Sequence, residues 1–262
     1  GFGNVGKALA REIISIDKIK IVAVLTSKGV YKLKTNWKSD LKNLINEYPK
    51  GEKENKDLLS VINELMPDIA FITIPPSYYN GEPNLSLYNT LLDNNVNIIT
   101  ADKTGLALQF NYLMAKAKTK NLFFGYRATV MAGTPAIDVA KGLKGRNVKE
   151  IKAVLNATTN YILSLIENGY SIQSAIEKVK ELGLVEPDPK IDIDGYDAAA
   201  KLTIILNTLG ISSTIKEVNR ESLLNVDEER VRRALNEGKR VKYIAYFDGN
   251  NKRISFLNLF NL

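Results

Sequence analysis

The chain reads as an α/β fold, with a doubly wound parallel sheet in its first half and an α+β second half built on a mostly antiparallel sheet. Three observations carry that expectation. A glycine-rich turn, Gly1-Phe2-Gly3-Asn4-Val5-Gly6, opens into the helically spaced run Lys7 to Ile14, and the apolar run Ile19 to Leu25 follows as a candidate parallel strand. Apolar runs and helical stretches then alternate as far as Gly125, the pattern of successive β-α-β units with right-handed crossovers. Beyond that point helices dominate until two strands, Arg240 to Phe247 and Arg253 to Leu259, flank an Asp248-Gly249 turn, as expected of a sheet covered by helices on one side.

Composition limits what such a fold can do. With 262 residues and 45% hydrophobic content the chain can bury a sizeable core. Its net charge of +7 comes from lysines spread among acids, which favours small anionic ligands over nucleic acid. No apolar run reaches the length a membrane span needs, about 18 residues, and no signal-peptide pattern is visible. Cysteine and histidine are both absent. Disulfides, thiolate nucleophiles, Ser-His-Asp triads and His-ligated zinc are therefore excluded, and a cytoplasmic home fits. Any proton transfer must run through Lys, Tyr, Asp, Glu or water.

Taken in order, the glycine turn is a dinucleotide fingerprint of the Rossmann type. Gly1, Gly3 and Gly6 allow a tight turn and close approach of a pyrophosphate, and Phe2, Asn4 and Val5 complete the contact. A first strand is expected before Gly1, so the natural protein is expected to start several residues earlier. The cofactor is decided at the end of the next strand. An NAD site wants an acid about twenty residues past the glycines, whereas Thr26-Ser27-Lys28 stands there. Lys28 can pair with a 2′-phosphate, so NADP is favoured over NAD. Gly29 to Lys56 reads as a polar connection with a short helix from Asp40 to Glu47. Helix Asp57 to Leu65, strand Asp68 to Ile74, a Pro75-Pro76 turn, helix Leu85 to Asp93 and strand Val96 to Thr100 continue the alternation. Lys103 follows at that strand's carboxyl end, where nicotinamide and substrate should meet. Helix Leu106 to Lys118 and strand Leu122 to Gly125 complete a nucleotide-binding half, residues 1–130.

The second half, residues 131–262, is expected to catalyse and dimerise. Helix Ala136 to Leu143, strand Val148 to Leu155, and helices Thr158 to Glu167 and Ser171 to Leu182 lead to an acid-rich loop from Lys180 onward. That loop is stiffened by Pro187, Pro189 and Gly195 and feeds a buried helix, Tyr196 to Leu209, ending at Gly210. Asp197 and Lys201 are four apart on that helix and so share a face, while Leu202, Ile204 and Ile205 set Lys201 beside a core. A charged helix from Asp227 to Glu237 precedes the final strands, whose free face is a plausible dimer contact.

Gly183, Leu184, Asp188-Pro189, Asp192, Gly195, Asp197 and Lys201 follow the spacing of the homoserine dehydrogenase signature, and the chain resembles that family over nearly its whole length. Thr100-Ala-Asp-Lys103 is similar to the family's Thr-Ala-Asn-Lys motif, with Asp102 in the Asn place. The resemblance implies reversible NADP-linked reduction of aspartate 4-semialdehyde to homoserine, serving threonine and methionine synthesis, by a homodimer. It implies Lys201 as proton donor, Asp197 as its holder and substrate contact, and Lys103 as partner cation and cofactor neighbour. Glu186 and Asp192 would bind or orient substrate, with Gly133 and Thr134 lining its pocket. Gly183 would approach the nicotinamide, and Pro75 would meet the cofactor through backbone only. Similar proteins also hold a sodium or potassium ion on backbone carbonyls that match Val130, Ala132 and Thr134, although Arg127 replaces the family's glutamate. The C-terminal return to the nucleotide half seen in similar proteins is missing. Two rival assignments are another NAD(P)-dependent semialdehyde or 2-hydroxy-acid dehydrogenase, and a non-catalytic Rossmann nucleotide sensor.

Overall fold

The opening turn requires glycine at two positions. A Cβ at Gly1 would fall on the Thr73 carbonyl, and one at Gly6 would lie 2.6 Å from the Gly1 carbonyl oxygen. Gly1 donates to the Leu25 carbonyl at 2.9 Å and accepts from the Thr73 hydroxyl at 3.0 Å, so the turn is pinned at the ends of two strands. These features come from a computed structural model that describes residues 1–184 and 188–260.

The turn leads into α1 (Asn4–Ile14), followed by β1 (Ala23–Thr26), β2 (Gly29–Lys32), α2 (Trp37–Glu47), α3 (Leu58–Leu65), β3 (Ile69–Ile72), α4 (Asn84–Asp93), β4 (Asn97–Thr100), α5 (Thr104–Thr119) and β5 (Phe124–Gly125). β3, β4 and β5 form a parallel sheet in that order, with Ile69 opposite Asn97 and Ile98 opposite Phe124. Tyr88, Leu92, Ile98 and Leu113 are fully buried against this sheet. One compact unit comprises Gly1–Gly105 and Tyr112–Thr129; the other takes Leu106–Asn111 and the chain from Val130 onward. α5 contains a break in helical geometry at Gln109, with φ −140° and ψ 37°.

Two expectations for this unit need correction. The run Ile19 to Leu25 is not a parallel strand: only Ala23–Thr26 is extended, and it pairs antiparallel with β2. The cause is local, since the Thr26 hydroxyl accepts the Lys28 N–H and Gly29 adopts φ +132°, which together fold the chain back on itself. The segment from Gly29 to Lys56 is also more than a connection. α2 buries Leu41, Leu44 and Ile45 with Phe2, Val24 and Tyr31 in a separate core, an apolar stripe hidden among the segment's lysines and asparagines.

The second unit contains α6 (Ala136–Gly142), β6 (Ile151–Ala153), α7 (Ala157–Glu167), α8 (Ile172–Glu181), α9 (Lys190–Ile193), α10 (Tyr196–Leu209), β7 (Asn219–Arg220), α11 (Glu228–Asn236), β8 (Lys239–Phe247) and β9 (Lys252–Phe260). Its sheet runs β6-β8-β9-β7 and is mostly antiparallel, β8 facing β9 from Lys239–Phe260 to Phe247–Lys252. β7 joins β9 in parallel, an edge strand too short to show a period in sequence. Val241, Tyr243, Ala245, Ile254 and Phe256 turn to one side and are buried, and α7, α10 and α11 pack on β8. Two-residue periodicity puts Arg240, Lys242, Tyr246 and Arg253 on the opposite face, together with the buried Ile244. α9 corrects the expectation of an open acidic loop: Pro189 is its N-cap, and Asp188 just before it accepts from the Lys190 N–H at 3.1 Å. Among the described residues no helix is long and apolar enough to cross a membrane.

Gly105, in the first turn of α5, has no room for a side chain. A Cβ there would lie 2.7 Å from Leu113 Cδ1 and 2.9 Å from the Tyr88 ring, and both residues are fully buried. Gly105→Ala, although it favours helix, is therefore expected to lower unfolding stability by about 1–3 kcal/mol through overpacking. Urea denaturation measures this, and an unchanged or raised midpoint would contradict it.

Candidate active site

In the first unit, candidate cofactor residues gather where strands end. Gly3 starts α1 with no side-chain cap, and a Cβ added to it would meet nothing within 4 Å. The first-turn amides, carried by Asn4, Val5 and Gly6, so face open space with a positive dipole end, a favourable place for phosphate. Phe2 contributes only backbone to this turn, because its ring is buried edge-on against Tyr48 at 5.5 Å. Lys28 is exposed in the β1–β2 turn, close in sequence to the Leu25 carbonyl that holds Gly1. The Pro75 carbonyl accepts from Asn84 Nδ2 at 2.9 Å, leaving one lone pair for any other donor.

The loop carrying Lys103 is organised by its neighbour Asp102. Asp102 is 2% exposed and accepts from the Thr104 N–H at 3.1 Å, the Thr104 hydroxyl at 2.9 Å and the Tyr88 phenol at 3.0 Å. The Thr104 hydroxyl in turn accepts from Asn84 Nδ2 and the Ser77 N–H, tying together the loops after β3 and β4. Burial pushes the Asp102 carboxyl above its ordinary range, opposed by the hydrogen bonds from Thr104. The same burial, with the Asp102 charge beside it, raises the Tyr88 phenol well above its usual value. Lys103 sits half-buried at the N-cap of α5 on this fixed base.

In the second unit two of the expected acids, Asp192 and Asp197, are linked with Lys201. Lys201 Nζ lies 2.6 Å from Asp197 Oδ2 on the preceding turn of α10 and donates to the Leu155 carbonyl at 2.7 Å. The two side chains are 15% and 7% exposed. Gly195, at φ +72°, makes this start of α10 possible, since a Cβ there would be 2.5 Å from the Tyr243 hydroxyl. Arg220 stacks on Tyr196, its guanidinium carbon 4.0 Å from the ring centroid. Asp192 is buried on α9, and one residue absent from the sequence expectations joins it to the rest. Asn156 Nδ2 donates to Asp192 Oδ1 at 2.7 Å and to Asp197 Oδ2 at 2.9 Å. The sequence carried a signal for Asn156 as an N-cap before an apolar helix, but nothing that linked its amide to acids 36 and 41 positions later.

The remaining candidates are less concentrated. Glu186 lies outside the described residues. Gly183, at φ +67°, ends α8 with its N–H donated to the Lys180 carbonyl, a helix-terminating role that glycine alone explains. Gly133 and Thr134 are exposed, but the Thr134 N–H and hydroxyl both donate to the Met131 carbonyl, so that amide is not presented to a ligand as expected. Met131 and Ala132 are left-handed, at φ 57° and 49°. For the Val130, Ala132 and Thr134 carbonyls expected to hold a cation, Arg127 stands where the resemblance implies an anionic ligand, and a guanidinium is an unfavourable neighbour for a cation. Among the described residues no cluster of three or more acidic, histidine or cysteine side chains can hold a metal.

Known proteins resemble this chain closely. The family model described as homoserine dehydrogenase matches residues 135–257. A homoserine dehydrogenase of Sulfurisphaera tokodaii is 36% identical over 95% of this chain and 77% of its own length. One from Methanocaldococcus jannaschii is 31% identical over 94% and 78%. A solved hyperthermophilic archaeal homoserine dehydrogenase in complex with NADPH superposes with a TM-score of 0.80 at 26% identity, covering 98% of this chain and 79% of that one.

The raised Asp102 carboxyl gives a pH test. Its proton is lost in the unfolded chain first, so stability falls as pH climbs from the ordinary carboxylate range through the raised folded value. Asp102→Asn keeps an oxygen for Thr104 and removes the buried charge. The variant is expected to match or exceed the parent's thermal midpoint at pH 7, and to lose that advantage towards pH 4 as the parent's Asp102 protonates. A deficit that is largest at pH 7 would contradict it.

Proposed function

Because this chain belongs to the homoserine dehydrogenase family, whose members are NAD(P)-dependent oxidoreductases acting on a CH–OH group, we propose that it reversibly reduces L-aspartate 4-semialdehyde to L-homoserine with NADPH, in threonine and methionine synthesis. The observation that carries this reading is the Lys201 ammonium, largely withdrawn from water and held by Asp197 and the Leu155 carbonyl. Among the described residues those bonds take two of its three protons, leaving one for a substrate oxygen.

NADPH, when bound, supplies the hydride that reduces the aldehyde carbon. As negative charge grows on the aldehyde oxygen, Lys201 donates a proton to it and completes the alcohol; in the reverse direction the neutral amine takes that proton back. A positioned ammonium stabilises developing oxyanion charge far better in a closed, dry site than in water. Asp197 holds Lys201 and contacts substrate, Asp192 orients this shell, and Glu186 accepts from the substrate's α-ammonium. Lys103 is assigned as the second cation beside cofactor and substrate, and Gly133, Thr134 and Gly183 as backbone contacts. Residues 1–130 are assigned to cofactor binding and 131–262 to catalysis and homodimerisation. The residues of the first unit fit a dinucleotide: the uncapped α1 and open Gly3 suit its pyrophosphate. Lys28, with no acid at the end of β1, supports NADP over NAD. No step is assigned to a monovalent cation.

The direct test is reduction of NADP+ by L-homoserine, with NAD+ and short 2-hydroxy acids as competing arms. Turnover confined to a 2-hydroxy acid would overturn the substrate assignment. Lys201→Met is expected to lower kcat about a hundredfold or more while NADPH affinity, followed by fluorescence titration, holds within about twofold. A kcat within a few-fold of the parent's would remove Lys201 from proton transfer. Lys28→Ala should cost about tenfold in kcat/KM for NADP+, the worth of one charge-assisted contact, and little for NAD+; equal losses would contradict the phosphate role.

A further inference from the structure

Asn156 is 6% exposed, and each polar atom of its side chain is used. Oδ1 accepts from the Thr159 N–H at 2.8 Å and caps α7, while Nδ2 sends one proton to Asp192 and the other to Asp197. Those acids are 3% and 5% exposed. Two buried carboxylates repel, and each demands a donor. A cation at position 156 would satisfy them but would cancel the second charge. A neutral amide gives each acid a hydrogen bond without adding a charge of its own.

The geometry also fixes Lys201. Asp197 Oδ2 receives Lys201 Nζ from one side at 2.6 Å and Asn156 Nδ2 from another at 2.9 Å, so its rotamer is determined twice. The residue before, Leu155, holds the same ammonium through its carbonyl. Two residues further on, the Thr158 hydroxyl donates to the Leu184 carbonyl at 2.7 Å, directly after Gly183. The N-terminus of α7 therefore grips the lysine, both acids and the Gly183–Leu184 corner with three residues, Leu155, Asn156 and Thr158.

We infer that Asn156 is a positioning residue for the dehydrogenase reaction: its amide sets Asp192 and Asp197, the acids assigned above to orienting the shell and contacting substrate, and, through Asp197, the Lys201 proton donor. This rests on the function proposed above. The role separates cleanly from capping, because serine caps a helix as well as asparagine does but has no amide to bridge the acids.

The experiment is homoserine oxidation by the full chain with NADP+, comparing the parent with Asn156→Ser and Asn156→Asp. In Asn156→Ser the thermal midpoint is expected within a few degrees of the parent, with KM for homoserine raised and kcat lowered by about tenfold each, as displaced catalytic groups give. KM for NADP+ should stay within about twofold. Asn156→Asp, of the same shape and also a cap, places a third carboxylate against the pair and should raise the homoserine KM further. Homoserine KM and kcat within about twofold of the parent in Asn156→Ser would overturn the inference. So would a lowered midpoint with both substrates' KM values rising in parallel, the pattern of a purely structural asparagine. A parent that does not oxidise homoserine at all would instead sink the dehydrogenase assignment, and this inference with it, before any variant is compared.

Discussion

An ammonium on a nearly buried helix exists only if its lost hydration is replaced, and the second unit is arranged around that requirement. Lys201 gives up most of its water on α10, whose other side chains are mainly core. Asp197 on the preceding turn and the Leu155 carbonyl replace it. A buried pair of this kind contributes little net stability, while removing one partner costs about 3–5 kcal/mol because the other charge is stranded. Its use is therefore in geometry: a cation that cannot swing to solvent is held at one place on a rigid helix. The left-handed Gly195, the Arg220–Tyr196 stack and the short α9 all serve to begin α10 where Asp197 can reach both Lys201 and Asn156.

The first unit meets a different demand by similar means. Beside the Lys28 and Lys103 side chains, the groups it offers a cofactor are backbone amides and carbonyls, and its buried polar side chains fix loops. Asp102 turns inward to Thr104 and Tyr88, and Asn84 links the loop after β3 to that network. The buried carboxyl is held at an electrostatic cost, visible in its raised proton affinity, and in return the lysine next to it starts α5 from a fixed backbone.

Sequence revealed most where one property repeats or one spacing is long. The β3-β4-β5 alternation was legible from apolar runs between helical stretches, and α10 from its Ala, Leu and Ile content between Gly195 and Gly210. Asp197 and Lys201 were legible as a pair because helical spacing alone puts them on one face. Where tertiary contacts decide, the sequence was silent. β1 turned back on β2 because of a side-chain bond at Thr26, β7 was too short to show a period, and α2 hid its apolar stripe among lysines and asparagines. Asn156 drew no expectation, since its bridging role depends on acids distant in the chain.

The central claim is that Lys201 delivers the proton to the substrate oxygen from a position fixed by Asp197. A crystal structure of the enzyme with homoserine and oxidised NADP tests it most directly. The account predicts the substrate hydroxyl about 3 Å from Lys201 Nζ, within hydrogen-bond range, with the Asp197 and Leu155 contacts intact. A hydroxyl bonded to some other donor, with Lys201 turned away from it, would contradict the account.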